Sequence, residues 1–216
     1  MCSRPAEPND ADRVTRTITL AFASDPVWEV ALRRPDGRTD HHEGYWRLFV
    51  EGAMRYGTVR MGDDGGAASV WLPPDGTELS EEGAAEFEAY IDSVLEPESL
   101  TAMHELYRRF DASRAGRPAH YYLSLLATHP DHRGRGVGQR LLAEDLAVWD
   151  DVGVPAYLES TNQLNDHRYE RAGFRPDGGF SAVLDDTWIT AMWRPVGGAR
   201  RLRGKGPAYP WRRPRA

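Results

Sequence analysis

A glycine- and arginine-rich segment, RGRGVG at residues 133–138, has the residue types and spacing of an anion-binding loop. A continuous apolar run at 119–128 precedes it and a helical pattern starting at Val137 follows it, so the segment lies between a strand and a helix. Free backbone N–H groups at a helix N-terminus bind anions, and glycine lets the backbone approach a phosphate closely. Arg133 and Arg135 add positive charge. The sequence therefore predicts a pyrophosphate site here.

The glycine spacing distinguishes between kinds of phosphate loop. A mononucleotide loop requires Gly-Lys-Ser/Thr after the glycines, and that sequence is absent. A dinucleotide fingerprint requires G-x-G-x-x-G, but the third glycine position is Gln139 counted from Gly134 and Leu141 counted from Gly136. Glu159 lies about 20 residues further on, where a ribose-binding acid would be, and keeps the dinucleotide interpretation open.

A third interpretation comes from a wider resemblance. Arg133, Gly136 and Gly138 match the Q/R-x-x-G-x-G/A signature of the GNAT superfamily of acetyltransferases, and residues 120–138 resemble its strand, loop and helix start. The segment at 165–174 resembles the N-x-x-x-Y-E-R-x-G-F segment of that superfamily. The resemblance therefore extends well beyond the six-residue loop.

Within the superfamily, the chain is similar to the puromycin N-acetyltransferases. The early segment at 21–26 (AFASDP), the Val70-Trp71 strand and the long helical insertion at about 78–118 agree with that group. The resemblance implies an α/β fold with a mixed, mostly antiparallel sheet, in which a splayed parallel strand pair is flanked by helices. We expect residues 1–196 to form a single domain of this kind, and the basic tail at 197–216 to be disordered.

The resemblance also implies acetyl-CoA as co-substrate. Its pyrophosphate would lie on the loop, and its pantetheine arm would pair along the end of the preceding strand, where a bulge around Leu126 would free N–H groups for the oxyanion. Asn165 is either a coenzyme ligand or the N-cap of its helix. The residues implied to bind the coenzyme are Leu126, Ala127, Thr128, Arg133, Gly134, Arg135, Gly136, Val137, Gly138, Gln139 and Asn165.

Acetyl transfer to an amine requires a base for the amine and an acid for the leaving thiolate. The resemblance assigns the acid to Tyr169, since a phenol with a pKa of about 10 stays protonated at neutral pH and can donate to a thiolate. The alternative is a core tyrosine on an amphipathic helix. Glu159 ends a buried strand and is either a general base acting through a water or a hydrogen-bonded carboxylate near the loop.

The remaining candidates favour structural interpretations. His120 could deprotonate the amine, but a histidine at a strand start is more often structural, and His129 and His132 are expected to be solvated beside the loop. The pair His41-His42 has no third ligand in the sequence, so we expect an exposed loop pair and no metal site. Four aromatic residues could line an acceptor pocket or belong to the core: Trp28, Trp46, Tyr90 and Tyr107.

Periodicity predicts the elements around these residues. Residues 1–8 are either loose or the stub of a first strand, and residues 33–42 form a loop. Helices are expected from a cap at Asn9 or Asp10 to Asp25-Pro26, and at 45–54, 80–94, 97–110, 137–149 and 165–171. Strands are expected at 58–61, 67–72, 119–128, 154–159, 180–184 and 187–193.

Composition limits the partners and the compartment. Residues 1–196 hold 20 basic and 33 acidic side chains, and the other seven cations all lie in residues 197–216. An acidic body argues against a nucleic-acid interface and favours a cationic substrate. The apolar runs are too short for a membrane span or a signal peptide, and the one cysteine, Cys2, excludes a disulfide framework. A cytoplasmic location is expected.

The sequence thus predicts an enzyme that moves an acetyl group from acetyl-CoA to the primary amine of a small molecule by direct attack. Two alternatives stay open: a protein or peptide N-acetyltransferase, and a non-catalytic acyl-CoA-binding module. The dinucleotide oxidoreductase is a third. The acceptor amine and the oligomeric state are not specified by the sequence.

Overall fold

The computed structural model describes residues 3–62 and 64–198, which contain one seven-stranded sheet with helices on both faces. The strands are β1 (Ser3–Pro5), β2 (Val59–Gly62), β3 (Ala67–Leu72), β4 (Tyr121–Thr128), β5 (Ala156–Ser160), β6 (Arg175–Ser181) and β7 (Trp188–Arg194). The α-helices are α1 (Ala11–Phe22), α2 (Pro26–Ala31), α3 (His41–Met54), α4 (Glu81–Val94), α5 (Pro97–Arg114), α6 (Val137–Asp151) and α7 (Asp166–Arg171).

The sheet has the order β1-β2-β3-β4-β5-β7-β6. All neighbouring strands are antiparallel except β4 and β5, which are parallel. This confirms the predicted mixed, mostly antiparallel sheet. The parallel pair is in register only at Tyr121↔Ala156 and Tyr122↔Tyr157, and the two strands separate beyond that point. The gap between them is the space in which the candidate site lies.

A β-bulge in β4 reverses the direction of its side chains. Val70 of β3 pairs with Leu125 and Trp71 pairs with Leu123, so Ser124 has no partner in β3. An extra residue shifts the two-residue alternation, and Leu123 and Leu125 therefore pack on opposite faces of the sheet, in different apolar clusters.

Each face of the sheet is covered by helices with a narrow apolar stripe. On one face, α6 presents Leu142, Leu146 and Trp149, which are spaced for one side of a helix, to Leu158 of β5. On the other face, α1 to α5 form the larger cluster, in which Ile18 is completely buried. Burial of these two sets anchors the helices whose ends reach the gap.

The structure corrects three predictions between residues 25 and 42. Asp25-Pro26 does not simply end α1 but begins a further short helix, α2, with Asp25 as its N-cap and Pro26 in its first turn. The predicted loop at 33–42 ends early, because α3 already begins at His41. His41 and His42 are buried in the first turn of that helix, so the expected exposed pair is wrong.

Other boundaries differ by smaller amounts. The first strand exists as a three-residue stub, β1, and α4 and α5 occupy the predicted insertion. β6 begins at Arg175, five residues before the predicted start. Cys2 and nearly all of the predicted tail, from residue 199 onward, lie outside the described residues. The backbone N–H of Gly197 donates to the Asp150 carboxylate at 2.7 Å, so the chain is fixed to α6 up to that point.

Candidate active site

A cavity of about 600 Å³ occupies the gap between β4 and β5. Tyr122 and Thr128 both line it, and the six residue steps of strand from one to the other span about 20 Å. The loop before α6 lines the cavity at the Thr128 end, which we call the loop end. We call the end near Tyr122 the inner end. Six aromatic side chains that belong to or pack against the larger apolar cluster also line the cavity, namely Phe22, Trp28, Trp46, Phe49, Tyr107 and Phe110.

The loop end has the backbone geometry of an anion site. Gly134 and Gly136 have φ values of 77° and 70°, which side-chain-bearing residues rarely adopt. Gly136 is the N-cap of α6 and provides no side chain to cap the helix, so the first N–H groups of α6 are available to a ligand. A Cβ at Gly138 would collide with Thr128 Oγ1. The loop and the strand are therefore as close as glycine permits, and the residues fit a bound pyrophosphate.

The structure divides the predicted coenzyme residues of the loop into two sets. Arg133, Gly134, Gly136, Val137, Gly138 and Gln139 line the cavity. Arg135 does not line it, and its carbonyl accepts a hydrogen bond from Arg140 at 2.8 Å. The guanidinium of Arg133 donates to the carbonyl of Ala21 at 3.1 Å, which ties the loop to the end of α1. The cation that borders the cavity here is therefore Arg133.

Strand β4 also differs in detail from the expectation. Leu126 and Thr128 line the cavity, while the Ala127 side chain is buried in the larger apolar cluster. The expected bulge around Leu126 lies two residues earlier, at Ser124, which lines the cavity as well. A bulge frees backbone groups from the hydrogen bonds between neighbouring strands. The free groups therefore lie two residues earlier in β4 than predicted.

Glu159 lies two residues past the last residue of β5 that pairs with β4, and it lines the cavity in the gap. Its Oε1 accepts a hydrogen bond from the Tyr157 hydroxyl at 2.7 Å, while Oε2 is buried and has no partner among the described residues. Burial, opposed by the nearby Arg114 guanidinium and the hydroxyls of Tyr157 and Tyr122, raises the pKa of Glu159 to about 7. A carboxylate with one unpaired oxygen and this pKa is suited to accept a proton at neutral pH.

Two charged side chains that the sequence did not single out lie beside Glu159. Arg114, at the end of α5, donates to Glu78 at 2.7 Å and lies over the Tyr122 ring at 4.6 Å. Both Glu78 and Arg114 line the cavity. Arg114 lowers the pKa of Glu159 and Glu78 raises it, although burial remains the largest influence. No motif marks either residue, because each acts only through its packing.

Tyr169 and Asn165 line the cavity on the α7 side, as predicted. The Tyr169 ring packs edge-on against Phe174, and among the described residues its hydroxyl has no hydrogen-bond partner. Burial, and then the carboxylates of Asp25 and Asp166, raise the pKa of Tyr169 above its usual value, so the phenol is protonated at neutral pH. Asn165 is the N-cap residue of α7, but its side chain does not cap the helix and instead accepts from Arg168 at 2.8 Å.

Asp25 is a further cavity residue that sequence reasoning missed. Its Oδ1 accepts from the N–H groups of Val27 and Trp28 at 3.1 and 3.3 Å, and its Oδ2 accepts from Thr161 Oγ1 at 2.8 Å. Burial raises the pKa of Asp25. The residue thereby joins the start of α2, which carries Trp28, to the end of β5. An Asp immediately before a Pro is an N-cap pattern and could have revealed this helix start.

The remaining candidates fall outside the cavity or at its rim. Trp28, Trp46 and Tyr107 line the cavity, whereas Tyr90 does not and donates to the His41 carbonyl at 2.7 Å. His120 is outside the cavity, with Nδ1 2.7 Å from the Pro118 carbonyl. His132 lines the cavity, and its side chain is only 26% exposed, so the expectation of a solvated ring is wrong.

Across 3–62 and 64–198, no three His, Cys, Asp or Glu side chains are grouped so that they could hold a metal ion. No helix in the same ranges is both long and apolar enough to cross a membrane.

A protein-family match covers the part of the chain that contains the glycine loop. Residues 102–176 match the acetyltransferase (GNAT) domain. A 66-residue stretch is 39% identical to the mycothiol acetyltransferase of Propionibacterium freudenreichii subsp. shermanii, covering 29% of this chain and 21% of that protein. The chain thus spans about a fifth of the length of this curated relative. The finer similarity to the puromycin N-acetyltransferases stays a prediction.

Solved structures resemble the chain over most of its length. The histone acetyltransferase HPA2 and related acetyltransferase of Corynebacterium glutamicum superposes with a TM-score of 0.61 at 23% identity, covering 90% of this chain and 95% of that one. The mosquito protein named arylalkylamine N-acetyltransferase like 5b superposes with a TM-score of 0.63 at 17% identity, covering 90% of this chain and 99% of that one. At these identities the likeness concerns the fold. The chain therefore has the GNAT fold, with residues 102–176 matching the acetyltransferase domain of that name.

Proposed function

We propose that the protein transfers the acetyl group of acetyl-CoA to a primary amine of a small molecule by direct attack. The observation that carries this proposal is the continuity of the cavity, which runs from a glycine loop that fits a pyrophosphate to a buried carboxyl group with a pKa of about 7. Neither a phosphate-binding module nor an isolated base would require both features in one space. Direct attack needs no nucleophilic side chain between them.

At the loop end, the backbone would bind the coenzyme. The N–H groups of the first turn of α6, from Val137 onward, would hold the pyrophosphate, with Arg133 supplying a charge beside it. The free edge of β4 from Leu126 to Thr128 would pair with the pantetheine arm. Ser124, which has no partner in β3, corresponds to Glu159 when the register of the parallel pair is continued. Its unpaired backbone would stabilise the negative charge that develops on the thioester oxygen.

Two side chains would move protons. A primary amine is an ammonium ion at neutral pH, because its pKa is about 10, and it must lose a proton before it can attack. Glu159 would accept that proton at its unpartnered Oε2. Tyr169 would donate to the departing thiolate, since its phenol stays protonated well above the pKa of a thiol, about 8.5. As the tetrahedral intermediate collapses, the nitrogen loses its second proton, which restores the Tyr169 hydroxyl, so one proton is released overall.

The inner end supports a small cationic acceptor. The aromatic side chains that line the cavity come from α1, α2, α3 and α5 and pack against one another, and a continuous apolar wall of this kind suits a compact molecule. Glu78 and Glu159 line the cavity beside a single guanidinium, Arg114, so an ionised Glu159 leaves this group with a net negative charge that favours a cation.

The protein or peptide acceptor is the second candidate function. A fold relative bears a histone acetyltransferase name, but its identity of 23% carries no substrate information. The non-catalytic module is the third, and the cavity argues against it, because a binding module has no use for a carboxyl group tuned to pH 7. A cytoplasmic location remains the expectation from the sequence.

The test is a thiol-release assay with acetyl-CoA and a panel of arylalkylamines, polyamines and lysine-containing peptides. We expect turnover with at least one small amine and none with peptides, and loss of that turnover in Glu159→Gln. Turnover with peptides alone would replace the proposal with the second candidate. Thermal stabilisation by acetyl-CoA without turnover on any amine would support the binding module.

A further inference from the structure

A chain of hydrogen bonds leads from Glu159 away from the cavity. The Tyr157 hydroxyl donates to Glu159 Oε1 at 2.7 Å, and the same hydroxyl lies 2.7 Å from Ser113 Oγ of α5. Tyr157 is completely buried and Ser113 is half-buried, so the chain begins in the interior and ends where water can reach it. Neither Tyr157 nor Ser113 lines the cavity.

The proposed reaction releases a proton that such a chain could carry. An ammonium ion and a thioester become an amide, a thiol and one free proton, so one proton must leave the site in every turnover. The coenzyme and the acceptor would occupy the cavity that Glu159 faces. A route that avoids the cavity would let the proton leave before the products depart.

We propose that Tyr157 and Ser113 form a proton relay that carries the amine proton from Glu159 to solvent on the α5 side of the sheet. The inference rests on the proposed function and on Glu159 as its base. It adds two residues that touch neither substrate, and it gives the helical insertion a part in the chemistry, because Ser113 lies in the last turn of α5.

The relay balances in protons and leaves no side chain changed. Glu159 accepts the proton at Oε2, and the carboxyl group turns about its terminal torsion, which is broad and nearly two-fold, to present an O–H to Tyr157. Tyr157 passes its own proton to Ser113, and Ser113 passes its proton to water. Rotation of the two hydroxyls restores the starting arrangement. Burial raises the pKa of Tyr157, so the phenol acts as a neutral hydroxyl and not as a stored phenolate.

The surroundings of Tyr157 hold its ring in place. The Arg117 guanidinium lies over the ring at 4.2 Å, is paired with Asp177 and also donates to the Ser113 carbonyl at 2.7 Å. The His120 ring meets the Tyr157 ring edge-on at 5.2 Å. Contacts on both the strand side and the helix side therefore fix the distance between the two hydroxyls, which is what a relay requires.

The test compares hydroxyl deletions with a matched control. Tyr157→Phe and Ser113→Ala remove one link each, Ser113→Thr keeps the hydroxyl, and Tyr121→Phe removes a hydroxyl from the neighbouring strand, outside both the cavity and the relay. Single turnovers are followed with a thiol reagent and a pH-indicator dye at pH 9, where Glu159 is ionised in every variant. The steady-state kcat is measured with and without imidazole, a small buffer that can carry protons.

We expect kcat to fall about tenfold in Tyr157→Phe and less in Ser113→Ala, with KM unchanged, and we expect proton release to lag behind thiol release. Imidazole should restore part of the loss in Ser113→Ala, where it can reach the exposed end of the chain, and Ser113→Thr and Tyr121→Phe should match the unaltered protein. A loss of kcat in Tyr157→Phe with no proton lag would make Tyr157 a purely structural residue and overturn the relay.

The same experiment separates failure of the relay from failure of the proposed function. If the unaltered protein turns over and Tyr157→Phe equals it at pH 9, the relay is wrong and the acetyltransferase stands. A shift of the pH midpoint alone, with the same plateau, would also overturn the relay and leave Tyr157 as a residue that tunes Glu159. If the unaltered protein shows no turnover with any amine, both are wrong.

Discussion

The two ends of the cavity are built in different ways. The loop end consists of backbone from consecutive residues, 133–138, shaped by glycines with positive φ and by the start of α6. The inner end consists of side chains from elements far apart in the chain, such as Glu78, Arg114 and Glu159, which meet through packing. In the proposed function, the first end would bind through the positions of its N–H groups, and the second would react through the protonation state of Glu159.

This difference determines what a substitution does at each end. At the loop end, any side chain occupies the space of the ligand, so a single change should remove binding altogether. At the inner end, a substitution changes the charge or the hydrogen bonds around a titrating group, so it should change rate and pH dependence while binding of the coenzyme persists. The following three predictions test this division, beginning with the largest effect.

Gly136→Asp should raise the acetyl-CoA dissociation constant by on the order of 100-fold or more. The variant places a negative side chain at the helix N-terminus that faces the pyrophosphate, and it forces a left-handed φ of 70° on a residue with a Cβ. Titration calorimetry measures the affinity, and thermal melts measure the fold.

Gly153→Asp is the matched control for that variant. Gly153 lies just past the other end of α6 with a φ of 73°, and a Cβ there meets nothing within 4 Å. It should therefore share the backbone strain without the loss of affinity. Equal loss in both variants would mean that strain, and not the loop, governs binding, and the comparison between the two ends would fail.

Tyr169→Phe should lower kcat by about 10²–10⁴-fold with almost no change in acetyl-CoA affinity. The substitution keeps the ring and its contact with Phe174 and removes a hydroxyl that has no partner among the described residues. Steady-state kinetics and melts on the same preparations measure the effect, with Tyr121→Phe as control. Turnover within about threefold of the unaltered protein would remove Tyr169 from the mechanism.

The smallest expected effect is a pair of opposite pH shifts. Glu159 must be ionised to accept a proton, so kcat/KM should rise with pH through a midpoint of about 7. Arg114→Gln removes a charge that lowers this pKa and should move the midpoint upward, whereas Glu78→Gln removes a charge that raises it and should move the midpoint downward. Each shift should be on the order of one unit.

The control for these shifts is Arg108→Gln, which should leave the midpoint unchanged. Arg108 is an exposed residue of α5 that pairs with Glu105. The pH profile of kcat/KM decides the outcome. Shifts in the same direction for Arg114→Gln and Glu78→Gln would mean that the substitutions act by loosening the packing around Glu159 and not through their charges.

The sequence predicted the loop end better than the inner end, for a physical reason. Gly136 and Gly138 are required by backbone conformation and close approach, which are local properties visible in six residues. Glu78 and Arg114 affect Glu159 only because the insertion packs across the sheet, and no short pattern encodes that contact.

Two wrong expectations have the same origin. His41 and His42 follow a polar, proline- and glycine-containing stretch and were expected to be exposed, but α2 packs beside them and the Leu32 carbonyl lies 2.8 Å from His41 Nε2. Because the sequence did not reveal α2, it did not reveal the burial of His41 and His42 beside that helix. The bulge at Ser124 could not be located either, since its position depends on how β3 pairs with β4.

The splayed strand pair also bears on how the molecule avoids self-association. An unpaired strand edge is a template for other chains, and proteins usually cover or charge such edges at the rim of a sheet. Here two further unpaired edges, one on β4 and one on β5 beyond Tyr122 and Tyr157, lie inside the sheet and face each other. Beyond those two residues the edges no longer pair with each other. A bound acyl donor would act as a guest strand, so the groups that the proposed reaction needs are also the ones that would otherwise invite aggregation.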